Sequence, residues 1–226
     1  MGDVKPQIQL FVDFDGTVTT QDVGNSIFSR YMRSDLSGNE SHEALIRDWK
    51  AGYLSSEECL TRECALAVVT EPELKKNLDT YELTAGFIET AGFCSSHDIP
   101  LTILSDGMDY YIRHILDRHG CGDIPFFSNR MWFENGGLAC DFPYLDRGCG
   151  RCGNCKRHHI ERLRRDGDHV VFAGDGYSDR FAIKSADRIF ARRDLAGYCR
   201  KAGIDCYPFE DFFDILVYLE EIHGTL

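Results

Sequence analysis

The sequence predicts an α/β fold: a doubly wound, mostly parallel sheet with a helical segment inserted after its first strand. Three observations predict it. A short apolar run, Ile8 to Phe14, reads as a buried strand and ends in acidic residues. Residues 21–83 then show helical rather than strand periodicity. Beyond them strands and helices alternate, which is the pattern of a parallel sheet with crossover helices.

The inserted segment contains "NSIFSRYM", "HEALIRDWKAGYL" and "SSEECLTRECALAVV". In the last of these Cys59, Leu60, Cys64, Ala67 and Val68 recur at helical spacing, and Ser55 or Ser56 can cap the start. Residues 21–83 are therefore expected to form a helical cap, and residues 1–20 with 84–226 an α/β core. In the second half "IPLTILS" (Ile99 to Ser105) reads as a strand, and "YYIRHILDRHG" as a helix closed by Gly120. "NRMWFENGGLACDF" reads as two short strands about an Asn-Gly turn. "HVVFAGD" is a further buried strand, followed by an expected helix through "DRFAIKSA". "RIFA" is one more strand, and "EDFFDILVYLEEI" a last helix.

At 226 residues, 43% hydrophobic and 27% charged, the composition is that of an ordinary globular protein. A formal charge of −12 argues against a nucleic-acid partner or an anionic membrane, since both require a positive surface. No apolar segment approaches the roughly 20 residues of a membrane span. The opening "MGDVKPQ" is polar and has no signal pattern, so the ten cysteines read as reduced thiols or metal ligands. The expected place is the cytoplasm. Nothing in the sequence speaks to oligomeric state.

The chemistry lies in the carboxylates. Ligands bind at the carboxyl ends of strands in a doubly wound sheet. Asp13 and Asp15 end the first predicted strand, Ser105 ends "LTIL", and Asp175 ends "VVFAG". Asp179 follows four residues later and can point back to the same crevice. Carboxylates gathered in one cleft repel one another unless a cation is present, and clustered oxygen ligands suit Mg²⁺. A carboxylate can also attack phosphorus, giving an aspartyl-phosphate that water then hydrolyses. A lysine (Lys156) and backbone N–H groups from "SDG", with Gly107, and "GDG" supply the remaining charge neutralisation.

Together "DFDGTVT", "LSDG", Lys156 in "CKRHHI" and "GDGYSD" resemble the four motifs of the haloacid dehalogenase superfamily of phosphatases. The resemblance implies a Rossmann-like core with a helical cap. It implies Asp13 as nucleophile and Asp15 as general acid/base. It further implies Mg²⁺ held by Asp13, the Asp15 carbonyl and Asp175 with Asp179 in support, Ser105 and Lys156 on the phosphoryl oxygens, and Thr17 steadying the loop. The opening motif and the "GDG-x-x-D" ending are similar to the phosphoserine phosphatase branch, where a glutamate facing the substrate amine corresponds to Asp22. The "CGNCK" context and the "ADRIFARRDLAGYCRKAGI" tail look like the 2-hydroxy-3-keto-5-methylthiopentenyl-1-phosphate phosphatases.

"GCGRCGNCKRHHI" places Cys149, Cys152 and Cys155 at x₂ spacings directly before Lys156. Three such thiols can bind Zn²⁺, with Cys140, His158 or His159 as the fourth ligand. An iron–sulfur run fits less well, because His159 stands where its fourth Cys would be. A glycine-rich turn with reduced thiols is the competing reading. The remaining cysteines (59, 64, 94, 121, 199 and 206) read as packing residues, and aromatic Trp49, Tyr53, Tyr110 and Tyr111 as either core or pocket lining.

The expected function is thus Mg²⁺-dependent hydrolysis of a small phosphorylated metabolite. A phosphotransferase using the same intermediate, or a metal-sensing or interaction protein on a phosphatase scaffold, are the alternatives.

Overall fold

A computed structural model describes residues 7–33, 40–147 and 149–224 of the chain. The first strand, β1 (Ile8–Val12), is buried along its whole length. Ile8, Leu10 and Val12 face one hydrophobic cluster and Phe11 the other, so the period-2 alternation of a strand serves two apolar layers. Four helices follow: α1 (Val23–Tyr31), α2 (His42–Ala51), α3 (Ser56–Leu66) and α4 (Glu71–Leu78). Their starts are set by local chemistry. Asp22 caps α1 through Asn25 N, Ser41 caps α2 through Ala44 N, and Ser55 with Glu58 forms a reciprocal capping box on α3.

The chain then alternates. In order come α5 (Phe87–Ser96), β2 (Leu101–Met108), α6 (Asp109–Arg118), β3 (Phe126–Glu134) and β4 (Gly137–Asp141). They are followed by α7 (Lys156–Leu163), β5 (His169–Gly174), β6 (Arg188–Ala191), α8 (Arg193–Ala202), β7 (Tyr207–Pro208) and α9 (Phe212–His223). The seven strands form one sheet in the order β4-β3-β2-β1-β5-β6-β7, parallel except for the β3–β4 hairpin. The hairpin turns at Asn135 and Gly136, both at positive φ, as an Asn-Gly turn requires. Central β1 pairs β2 on one side and β5 on the other, so the strand order reverses there and the three C-terminal ends open onto a common crevice.

Ile112 and Ile115 of α6, Phe87 of α5 and Phe212 of α9 cover one face; Ile160 of α7 and Leu195 and Cys199 of α8 cover the other. Phe87 and Phe212 meet edge to face at 5.0 Å. Among the described residues no helix is long and apolar enough to cross a membrane.

The structure departs from the sequence expectation in three places. β1 stops at Val12, so Asp13 to Phe14 belong to a turn rather than to the strand. β2 runs on through Asp106 to Met108 and passes straight into α6. The helix expected through "DRFAIKSA" is instead two short 3₁₀ turns, Ser178–Arg180 and Ala182–Ser185. The cause is Asp179, whose Oδ2 accepts from Asp175 N at 3.0 Å and Gly176 N at 2.9 Å; side-chain bonds to nearby backbone compete with a helical ladder.

Candidate active site

Asp13 N still donates to Ala173 O of β5 at 2.9 Å, and then the chain coils over the strand end, with Val18 N returning to Asp13 O and Thr19 N to Phe14 O. Gly16 makes this turn possible. Its φ is +73°, and a Cβ there would stand 2.5 Å from Asp175 Oδ2 and 2.6 Å from Arg193 Nη1. Arg192, between β6 and α8, and Arg193, the first residue of α8, clamp the turn. Arg192 Nε donates to Gly16 O at 3.0 Å, and Arg193 donates to Gly16 O at 3.2 Å and Thr20 O at 2.9 Å. Arg193 holds a positive φ of 48°, an uncommon conformation for a side-chain-bearing residue.

Lys156 leads α7 and lies beneath the loop. Its Nζ donates to Asp13 Oδ1 at 2.5 Å and to Asp179 Oδ1 at 2.6 Å, and all three side chains are buried. Asp175 Oδ2 accepts from Arg193 Nη1 at 2.9 Å. Carboxylate oxygens of Asp13, Asp175 and Asp179 all lie within 4.8 Å of one another. Burial, then the neighbouring Asp179 charge, raises Asp13 well above the ordinary carboxylate range even though Lys156 opposes the shift. The same two causes raise Asp175 to about 6. Burial works against the Lys156 charge, but Asp13 and Asp179 outweigh it and its pKa is raised.

Asp15 sits apart from that cluster. Its Oδ1 accepts from Gly24 N at 3.0 Å; its Oδ2 accepts from the Tyr111 hydroxyl at 2.9 Å and the Ser105 hydroxyl at 3.3 Å. Burial, followed by the charge of Asp22, raises its pKa to about 7, with the Gly24 and Tyr111 bonds pulling the other way. Ser105 Oγ in turn accepts from Gly107 N at 2.9 Å. A Cβ at Gly107 would collide with the Tyr111 hydroxyl and lie 2.7 Å from Asp15 Oδ2.

These groups line a cavity of about 360 Å³. Asp13, Asp15, Ser105, Gly107 and Asp175 line it from the core, and Asp22, Asn25, Trp49 and Glu63 line it from the helical segment. Trp49 and Tyr177 meet across it with ring centroids 5.1 Å apart. Below its lining, buried His42 joins Glu63 Oε1 at 2.9 Å and Asn25 Oδ1 at 3.0 Å, tying α1, α2 and α3 together. Three expected site residues are not in the lining. Lys156 and Asp179 are buried beneath its floor. Thr17 is wholly buried, its hydroxyl has no partner, and it is held through its carbonyl, which accepts from Thr84 Oγ1 at 2.7 Å and Arg192 Nη2 at 3.1 Å.

The sulfur atoms of Cys149, Cys152 and Cys155 converge within 4.8 Å. None of the expected fourth ligands joins them. Cys140 faces Cys64 and the Thr61 hydroxyl. His159 is buried, bonds Asn154 Oδ1 at 2.5 Å through Nε2 and stacks on Phe127 at 4.3 Å, while the His158 ring meets that of His159 at 5.5 Å. Cys59, Cys64, Cys94, Cys121 and Cys199 are buried, as packing residues should be.

Several residues that shape the site escape sequence reasoning. Tyr111 reads from sequence only as an aromatic of the core or lining; its bond to Asp15 is invisible until α6 is placed. Arg192 and Arg193 reach the turn from the junction of β6 with α8. Asn154 bridges Ser105 O and Phe127 O, both at 2.8 Å, and Asp106 Oδ1 accepts its backbone N–H. The dipeptide "RR" after an apolar strand end is the one available signal. Tyr53 is 81% exposed, and Tyr110 bonds Glu71 outside the cavity.

The sequence profile of a family described as Putative Phosphatase matches residues 8–199. A 2-hydroxy-3-keto-5-methylthiopentenyl-1-phosphate phosphatase of Bacillus cereus is 30% identical over 225 residues, covering 96% of this chain and 98% of that protein. The Bacillus anthracis protein of the same name is 30% identical over 222 residues, with 95% and 97% covered. Among solved structures, a phospho-aspartyl intermediate analogue of phosphoserine phosphatase superposes with a TM-score of 0.67 at 20% identity, over 95% of this chain and 99% of that one. A phosphoserine phosphohydrolase-like protein from Francisella tularensis gives 0.69 at 16% identity, over 94% and 100%. At such identities the structures speak to the fold alone.

Proposed function

We propose that this chain, which belongs to the putative phosphatase family within the haloacid dehalogenase superfamily, is a Mg²⁺-dependent phosphomonoester hydrolase working through an aspartyl-phosphate on Asp13. The observation that carries this reading is the pairing of two carboxylates of different character. Asp13 lies on the cavity floor against Lys156, and Asp15 titrates near neutrality two residues away.

A divalent cation fits the donor set. Three carboxylates, Asp13, Asp175 and Asp179, meet two cations, Lys156 and Arg193, which leaves one negative charge unbalanced. All the candidate ligands are oxygen atoms, as Mg²⁺ prefers. Asp13, Asp175 and the Asp15 carbonyl would hold the ion, with Asp179 supporting the shell. When bound it would neutralise the phosphoryl oxygens and offset the repulsion among the carboxylates.

In the first step an Asp13 carboxylate oxygen forms a bond to phosphorus while the bond from phosphorus to the leaving oxygen breaks. Asp15, protonated at a pKa of about 7, gives its proton to that oxygen. The Ser105 hydroxyl grips the phosphoryl oxygens from the lining, and Lys156, beside Asp13 beneath the floor, supplies positive charge to them. In the second step Asp15 takes a proton from water, the water oxygen bonds to phosphorus, the Asp13–phosphorus bond breaks, and phosphate departs.

The division of labour follows the sequence reading. Residues 1–20 and 84–226 carry the chemistry, and residues 21–83 act as a cap over the leaving-group end, where Asp22, Trp49 and Glu63 stand. Asp22 and Gly107 contact substrate, whereas Thr17 supports the loop from behind. A cavity of about 360 Å³ suits a small metabolite. Ten unpaired thiols support a cytoplasmic setting. Screening the purified protein against a panel of phosphorylated metabolites tests the proposal; no phosphate release from any of them at saturating Mg²⁺ would overturn it.

A further inference from the structure

The loop between β4 and α7 carries a second cluster that the phosphatase chemistry does not use. Cys149, Cys152 and Cys155 all have free thiols, with the Cys149 and Cys152 sulfurs 3.3 Å apart and all three within 4.8 Å. A tetrahedral Zn²⁺ with bonds of about 2.3 Å sets its sulfur ligands roughly 3.8 Å apart. A grouping of three sulfurs within 4.8 Å can adopt that spacing with small side-chain shifts. Ligands of an iron–sulfur cluster sit on different iron atoms and must stand further apart.

Cys155 occupies the N-cap of α7, at the positive end of that helix. Gly150 takes a φ of +72°, which lets the short loop wrap back on itself. At Gly153 a Cβ would lie 2.7 Å from Phe142 and 2.8 Å from Asn129, so the chain is pressed against β3.

What the cluster holds in place follows from its contacts. The base of the loop is already fixed without metal, because Asn154 is tied to Ser105, Phe127, Asp106 and His159. Lys156 is therefore anchored independently. The outer part, residues 149–153, reaches across to the helical segment: Arg151 O accepts from Ser56 N at 2.8 Å, and its guanidinium donates to Trp49 O at 3.4 Å. Ser56 then bonds both Trp49 and Asp106.

We propose that Cys149, Cys152 and Cys155 bind one Zn²⁺ ion, and that this ion fixes the outer loop so that Arg151 docks onto the start of α3 beside the cavity. Three thiolates supply the protein ligands and leave one coordination position open, on the side where Gly150 is exposed. The metal assignment does not rest on the phosphatase reading.

Cobalt titration of the freshly reduced full chain tests it. Wild-type protein should take up Co²⁺ stoichiometrically with thiolate-to-cobalt charge-transfer absorption, and Zn²⁺ should displace it. Cys206→Ser should behave identically, and Cys152→Ser should lose the band. Hydrogen exchange on the same samples should be faster at Ser56 and across 149–153 after zinc removal, with α7 unchanged. A wild type that binds neither Co²⁺ nor Zn²⁺, or a Cys152→Ser variant that keeps the band, would overturn the site. Unchanged exchange at Ser56 would overturn the docking role. Because neither readout is phosphate release, failure here is distinct from failure of the phosphatase reading.

Discussion

Lys156 Nζ donates to Asp13 Oδ1 at 2.5 Å with both side chains almost wholly removed from solvent. The lysine is shared with Asp179, so one ammonium serves two buried carboxylates. That arrangement orients the proposed nucleophile and leaves the cluster short of positive charge.

Lys156→Met keeps the length of the side chain and removes the charge. Turnover should fall to background. Removing one partner of a buried ion pair costs about 3–5 kcal/mol, here moderated because Asp13 can take up a proton. Asp13 has a folded pKa above its unfolded one. Its contribution is therefore favourable below the unfolded value and lost as pH rises through the folded one. The melting-temperature deficit against wild type should be larger at pH 8 than at pH 5, as scanning calorimetry would read.

Metal removal gives a second expectation. EDTA should abolish phosphate release, and Mg²⁺ should restore it. Ca²⁺ should inhibit, because it is larger and tolerates a bidentate Asp13 that can no longer attack. Full activity in Ca²⁺ alone would contradict the carboxylate geometry.

Tyr111→Phe tests the acid/base assignment. The tyrosine bond lowers the Asp15 pKa from where burial and Asp22 would set it, so its loss should move that pKa upward. A hydrogen bond worth about 1 kcal/mol corresponds to roughly 0.5–1 pH unit. Since kcat/KM reports the first step, in which Asp15 is the acid, its alkaline limb should shift to higher pH. An unmoved limb would remove Asp15 from that role.

His159 links the loop to stability. Burial, then the charges of His158 and Arg162, depress its pKa from 6.5 to about 4. The unfolded chain binds the proton more readily, so stability is full above pH 6.5 and is lost as pH falls toward 4. His159→Gln keeps a donor for Asn154 without titrating. Its melting-temperature gap from wild type should narrow between pH 7.5 and pH 5.

Much of this was legible before folding. Asp13, Asp15, Ser105 and Asp175 stand at predicted strand ends, and a doubly wound sheet brings such ends together, so topology alone located them. Less legible were groups that act by approach from elsewhere. Tyr111 reads as one more aromatic in an amphipathic helix, and Arg193 as a surface charge, until the sheet sets them against Asp15 and Asp175. The helix expected after Asp175 failed because periodicity cannot show that Asp179 will bond backward to Asp175 N and Gly176 N. The reach of Cys140 toward Cys64 likewise depends on how β4 meets α3, which spacing does not encode.

The central claim is that Asp13 becomes phosphorylated. The most direct measurement is acid quenching of the enzyme during turnover of p-nitrophenyl phosphate with Mg²⁺, followed by borohydride reduction and peptide mass spectrometry. Reduction converts an acyl phosphate to the alcohol, so the peptide containing "LFVDFDGTVTT" should carry homoserine at position 13. The product should be absent from Asp13→Asn and increased in Asp15→Asn, where hydrolysis of the intermediate lacks its base. Phosphate release at the wild-type rate with no reducible acyl phosphate, or with the mark on another residue, would contradict the account.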